Sequence, residues 1–183
     1  MYHQCTTEKT AAQQKVFIEA LYDAMQEQLY SEITITELCH QTGLSRNIFY
    51  RLFDCKDDIL YALIDNRFLT CTNVIQSNSP CENLTSFYQY WKNQKPFLDT
   101  LKRNRLESYL SIRGSLCCCQ VDFGMQKMIN ENWRSYESEI FCFYSNGFIG
   151  LLIQWYNSNY ARSIEEMVEV TLQLIDHPPI NTK

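Results

Sequence analysis

Residues 34 to 53, TITELCHQTGLSRNIFYRLF, leave the backbone little choice. Thr34-Ile35-Thr36-Glu37 has the spacing of a capping box, in which the Thr34 hydroxyl accepts the Glu37 amide and the Glu37 carboxylate reaches back to the Thr34 amide. A short helix is predicted to follow, with Ile35 and Leu38 turned inward. Gly43 stops it in a tight turn, where the missing Cβ permits positive φ. Ser45 is a good N-cap for a second short helix, Arg46 to Phe53, with Phe49, Leu52 and Phe53 on its core side. The pattern is two short helices joined through Thr42-Gly43-Leu44.

The rest of the chain is helical by composition and by period. Of 183 residues 45% are hydrophobic, and only five are Gly and four Pro, so an all-α class is expected. Val16, Phe17, Ala20, Leu21, Ala24 and Met25 form a helical stripe within Lys9 to Gln28. A long helix is predicted from Lys56 to about Ser77, then a break at Asn78-Ser79-Pro80. Leu84 to Asn93, Pro96 to Arg103 and Leu106 to Cys119 read as further helices, with Pro96 suited to a first helical position. Glu131 to Asn157 reads as a long aromatic-rich helix, and Ser163-Ile164-Glu165-Glu166 as a second capping box that opens a last one. The most apolar run, Gly147 to Tyr156, is too short to span a bilayer and nothing resembles a signal peptide, so a soluble cytoplasmic protein with no membrane partner is expected.

Two short helices with a glycine turn match the helix-turn-helix pattern, whose second helix meets base edges in the major groove. The stretch ITITELCHQTGLSRNIFYRLFDCKDDILYALID, residues 33 to 65, resembles the DNA-binding domain of the TetR/AcrR family of transcriptional regulators. FYSNGFIGLLIQWYNSNYARSIEEM resembles, more loosely, the end of the C-terminal domain found in a Firmicutes branch of that family. The resemblance implies a DNA-binding domain over residues 1–66 and a C-terminal ligand-binding and dimerisation domain over residues 67–183. It implies a homodimer on a palindromic double-stranded DNA operator, with a small-molecule effector and no cofactor. A ligand-responsive repressor is expected, with an activator, or an adaptor working through a protein partner, as the alternative.

Matching positions put Arg46, Asn47, Ile48 and Arg51 near base edges. Arg46 and Arg51 can each fork to guanine, and Asn47 can pair with adenine. Tyr50, Lys56 and the Thr34 end of the preceding helix would hold phosphates, with Ser45 opening the reading helix. Tyr109, Arg113 and Trp133 are the candidate effector contacts.

Charge stands against this reading at first. The net charge is −5, and residues 1–66 carry all of it, with five basic side chains against ten acidic ones. Between Gly43 and Lys56, however, Arg46, Arg51 and Lys56 face only Asp54, a local net of +2. So few bases imply weak non-specific affinity and a modest salt dependence.

Other chemistries are thinly supported. Glu37-Leu38-Cys39-His40 is half of a di-iron signature, but such a site needs two copies, and its Glu is better used as a cap. No nucleophile-elbow, phosphate-loop or zinc-protease motif occurs, so no enzyme is expected. Adjacent helical residues point about 100° apart, so Cys117-Cys118-Cys119 cannot easily ligate one ion, and no metal site is expected. Cys55 replaces the Ser or Thr common in the family before Lys56, and a thiol at a helix start beside a lysine is a candidate for easy oxidation.

Overall fold

The computed structural model describes residues 2–3, 7–118 and 135–176, with the backbone alone for Cys118, Glu137 and Asp176. Among these residues the elements are α1 (Glu8–Glu27), α2 (Ile35–Thr42), α3 (Arg46–Leu52), α4 (Lys56–Thr72), α5 (Pro80–Asn93), α6 (Lys95–Arg103), α7 (Glu107–Cys118), α8 (Glu137–Asn157) and α9 (Ile164–Asp176). The expected all-α class holds. The chain divides into two compact units, residues 1–67 with 97–110, and residues 68–96 with 111–183.

In the first unit α1 begins at a capping box of Thr7 and Thr10, and its apolar stripe buries Phe17, Leu21 and Met25. Phe17 lies edge-on to Phe49 at 5.5 Å and to Phe53 at 6.0 Å, the ring geometry that aromatic quadrupoles favour. Leu38 of α2 and Ile59, Leu60, Leu63 and Ile64 of α4 complete this core, while Ile35 is only half-buried. The same unit takes in the C-terminal part of α6. The Arg67 guanidinium lies 5.3 Å from the Tyr22 ring centre and 5.2 Å from that of Phe97.

α6 ends in paired bonds, Leu106 N–H to Leu101 C=O at 2.9 Å and Arg105 N–H to Lys102 C=O at 3.0 Å. This is a Schellman closure, with Leu101 and Leu106 both buried. The left-handed position that glycine usually fills is held by Arg105, at φ 58°.

The second unit is organised by α5. Ser79 caps it and Pro80 occupies its first turn, so it starts four residues before the expected Leu84. Asn83, buried, donates to Ser77 C=O at 2.8 Å and accepts its N–H at 2.9 Å, which fixes the turn ahead of the helix. α4 stops at Thr72 and not near Ser77, because Val74 and Ile75 bond back three residues in turn fashion. Trp91 packs on Phe68 at 4.7 Å, and Tyr88 lies edge-on to Trp155 of α8 at 5.4 Å. The Tyr88 hydroxyl is 2.7 Å from Thr171 Oγ1 on α9. Since the Thr171 hydroxyl donates to Met167 C=O, Tyr88 is the donor in that pair. Burial pushes its pKa up to about 12, so it remains a donor.

The second capping box is present as expected. Ser163 N–H donates to Glu166 at 2.6 Å and Glu166 N–H to Ser163 Oγ at 3.2 Å. The expected start of the aromatic helix at Glu131 lies outside the described residues.

Gly114 of α7 is the tightest point of this unit. A Cβ there would sit 2.6 Å from Phe68 Cζ and 2.8 Å from Ile149 Cδ1. Gly114→Val should therefore destabilise the protein by about 1–3 kcal/mol, read as a lowered midpoint in thermal unfolding.

Candidate nucleic-acid interface

The turn between α2 and α3 is built as its residues require. Thr34 accepts the Glu37 N–H at 3.2 Å, and the Glu37 carboxylate takes both the Thr34 N–H at 2.7 Å and its hydroxyl at 2.8 Å. The Thr34 amide, then its hydroxyl, hold the Glu37 carboxyl below the usual carboxylate range. Glu37 is thus a cap, as expected, while His40 is exposed at the far end of the helix. Gly43 takes φ 68°, and Ser45 Oγ accepts the Ile48 N–H at 3.3 Å to open α3.

At about 100° per residue, Arg46, Tyr50, Asn47 and Arg51 occupy one arc of about 140° on α3. All four are exposed, while Phe49 and Leu52 on the other side are buried. Tyr50 lies edge-on to the Phe49 ring at 5.2 Å. Its hydroxyl faces the Arg46 guanidinium and raises the arginine pKa further. Arg51 leans toward α1, donating to Gln13 Oε1 at 2.9 Å. Ile48 falls at the edge of the arc and is half-buried.

Lys56 is placed differently from a simple surface base. Its ammonium donates to Tyr30 C=O at 2.5 Å and Ile33 C=O at 2.6 Å, and lies 4.2 Å from the Tyr30 ring centre. Partial burial lowers its pKa, with Asp57 and Glu37 opposing the shift. It ties the start of α4 to the segment that leads into α2. Cys55 beside it is exposed, and the turn into α4 is closed instead by the buried Asp58 carboxylate, which accepts the Asp54 N–H at 2.9 Å.

Two of the three candidate effector contacts, Tyr109 and Arg113, fall among the described residues. Tyr109 belongs to the first unit, where its hydroxyl donates to Asp57 at 3.1 Å and its ring lies 5.7 Å from Tyr61. Tyr30 donates to the other Asp57 oxygen, and its own N–H goes to Asn104 Oδ1 at 2.6 Å. Arg113 is half-exposed on α7 in the second unit, and Trp133 lies outside the described residues. Of the cysteine run, Cys117 is half-exposed, Cys118 is described by its backbone alone, and Cys119 lies outside. Among the described residues no group of three or more His, Cys, Asp or Glu is placed to hold a metal ion, and no helix is long and apolar enough to cross a membrane.

The sequence reading missed two features here. One is the N-terminal segment, where His3 bonds the end of α3. The other is an open apolar groove along α8, lined by Ser138, Glu139, Cys142, Phe143, Asn146 and Gly147. Phe143 is 74% exposed, and a Cβ on Gly147 or Gly150 would meet open space. The alternation of exposed Phe143 with two glycines one turn apart was the available signal for it.

Replacing Lys56 by Met would strand two partly buried carbonyls. A loss of about 2 kcal/mol is expected in urea unfolding of the free protein.

The family model described as the transcriptional regulator C-terminal region, of the TetR type, matches residues 80–177, more than half of the chain. The HTH-type dhaKLM operon transcriptional activator DhaS of Lactococcus lactis subsp. lactis (strain IL1403) is 23% identical over 150 residues, covering 75% of each protein. A solved structure of the dihydroxyacetone kinase operon activator DhaS aligns with a TM-score of 0.56 at 18% identity, over 88% of this chain and 93% of that one, which is a likeness of fold. A TetR-type C-terminal region in an all-helical chain makes this protein a member of the TetR-like transcriptional regulators.

Proposed function

We propose that this regulator binds DNA directly, as a homodimer on a palindromic operator, with α3 as the reading helix. The observation that carries the reading is the arc of Arg46, Asn47, Tyr50 and Arg51, four exposed hydrogen-bonding side chains on a helix whose other side is core. Arg46 would fork to guanine and Asn47 pair with adenine, while half-buried Ile48 offers only a methyl contact at the margin. Arg51 would read a base after exchanging its Gln13 bond for one. Ser45, Thr34 and Tyr50 would approach phosphates. Lys56 acts first as the anchor of α4, and reaches a phosphate only through its third N–H donor.

Dimerisation is assigned to α8. Apolar surface of this kind on a regulator fits an interface with a second copy, and a two-fold axis would set paired heads about 34–36 Å apart, or a multiple of that, along the operator. Residues 67–183 would then serve dimerisation and the sensing of a small effector. The effector need only favour one spacing of the heads over the other. Arg113 and Trp133 remain candidate effector contacts, whereas Tyr109 is assigned to the Asp57 knot.

The sign of regulation has two readings. Repression follows from operator occupancy alone. Activation is favoured by the relative from Lactococcus lactis, which is named a transcriptional activator. A fusion of the regulated promoter to a reporter separates them, since deletion of the protein raises expression in the first case and lowers it in the second.

A gel shift with the DNA upstream of the protein's own gene tests the head. Arg46→Ala and Tyr50→Ala should each weaken binding by about 1–3 kcal/mol, roughly ten- to hundredfold for the arginine, with thermal stability retained. An unaltered shift in both variants would remove α3 from the interface. No shift at low salt on any candidate operator would favour the adaptor reading. Phe143→Glu should turn the dimer into a monomer in light scattering after gel filtration, and should weaken the shift in parallel.

A further inference from the structure

The α-helical carbonyls at the end of α3 have no partners within their own helix, and the N-terminal segment supplies them. His3 N–H donates to Leu52 C=O at 2.9 Å. The His3 ring places Nδ1 at 2.7 Å from Arg51 C=O and Nε2 at 3.1 Å from the Asp54 carboxylate. Gln14 on α1 donates to His3 C=O at 3.2 Å, and the Tyr2 hydroxyl donates to Asp65 on α4 at 2.7 Å.

Both ring partners are acceptors. A carbonyl and an ionised carboxylate offer no hydrogen, so each ring nitrogen must carry one, and only the imidazolium does. A neutral ring has a single N–H and would turn a lone pair toward one of the two oxygens. A positive charge is also favoured against the C-terminal carbonyls of a helix.

We propose that residues 2–3 form a clasp on the reading helix, with His3 as a positioning residue whose ring holds the last turn of α3 through both nitrogens when protonated and through only one when neutral. This rests on the reading of α3 as the DNA-contacting helix only for its consequence on DNA, not for the clasp. The charged groups facing the ring are Asp54, whose carboxylate the N-terminal ammonium also holds ionised, Asp58 behind it, and Arg51, whose guanidinium is turned to Gln13. Gln14 on α1 is neutral. The Arg51 carbonyl first, joined by the Asp54 carboxylate, outweighs the loss of hydration and raises the His3 pKa above the usual histidine value. A raised value means that the clasp is complete below the unfolded-state pKa and loses one of its two ring bonds as pH climbs through the folded one.

Hydrogen exchange of the α3 amides in the free protein tests the clasp, after correction for intrinsic exchange. At about pH 6 the wild type should exchange about threefold more slowly than His3→Gln, and at about pH 8.5 the two should converge, an effect of the size seen for exposed charge-assisted contacts. Titration of the His3 ring by NMR should show the raised value, and Asp54→Asn should lower it. In DNA binding the wild type should lose about threefold in affinity over the same range while His3→Gln stays flat. His40→Gln, at the exposed end of α2, should keep the wild-type profile. The clasp is overturned if His3→Gln retains the wild-type pH dependence of exchange, or if the ring titrates as an ordinary histidine and ignores Asp54→Asn. Absence of DNA binding by the wild type at both pH values would overturn the reading of α3, while the exchange data would still decide the clasp.

Discussion

The ammonium of Lys56, closed on the carbonyls of Tyr30 and Ile33, sets where the helix-turn-helix can be. Those carbonyls belong to the segment between α1 and α2, which has no regular structure to satisfy them. An unpaired buried carbonyl costs more than most single contacts return. One side chain therefore fixes the start of α4 and the approach to α2 together, and α3 follows because Gly43 and Ser45 leave it one path. Asp57, the next residue, extends the same tie to Tyr30 and Tyr109. The exposed arc of α3 thus hangs on a polar knot several residues away in the chain, more than on its own seven-residue helix.

The second unit meets a different problem, the burial of large rings, and the polar handles of Tyr88 and Trp155 are satisfied inside it. The Tyr88 hydroxyl donates a hydrogen bond to Thr171, whose own hydroxyl donates to Met167 C=O, so α5 and α9 are joined by a directed chain of donors inside an aromatic core. Trp155 finds the Arg162 carbonyl at 2.9 Å across the turn into α9. Such satisfied networks give one packing register where rings alone would tolerate several. Gly114 is the counterpart in shape, since Phe68 and Ile149 fill the volume a side chain would need.

Local chemistry was legible in the sequence and distant chemistry was not. The two capping boxes, the glycine turn and the Ser45 cap depend on residues at most four apart, and they occur where the residues require them. Phe49, Leu52 and Phe53 were readable as core because only one side of so short a helix can be buried. Lys56 looked like a surface base because nothing in its neighbourhood announces that Tyr30 and Ile33 would lack partners. The bond of Tyr109 to Asp57 was hidden for the same reason, since the two lie 52 positions apart. His3 carried no periodic signal at all. The Thr7 cap was missed because Thr10 replaces the usual Glu in its box.

Arg105 shows how the first unit keeps a shape that its own backbone resists. In the left-handed region a side chain other than glycine or asparagine costs roughly 1 kcal/mol. The Schellman bonds and the buried Leu101 and Leu106 offset that cost, and neighbours on both sides add to them, Asn104 gripping the Tyr30 amide and Tyr109 gripping Asp57. Strain at one residue is thus carried by contacts on either side of it, and removing one grip should surface as lost stability in the unit.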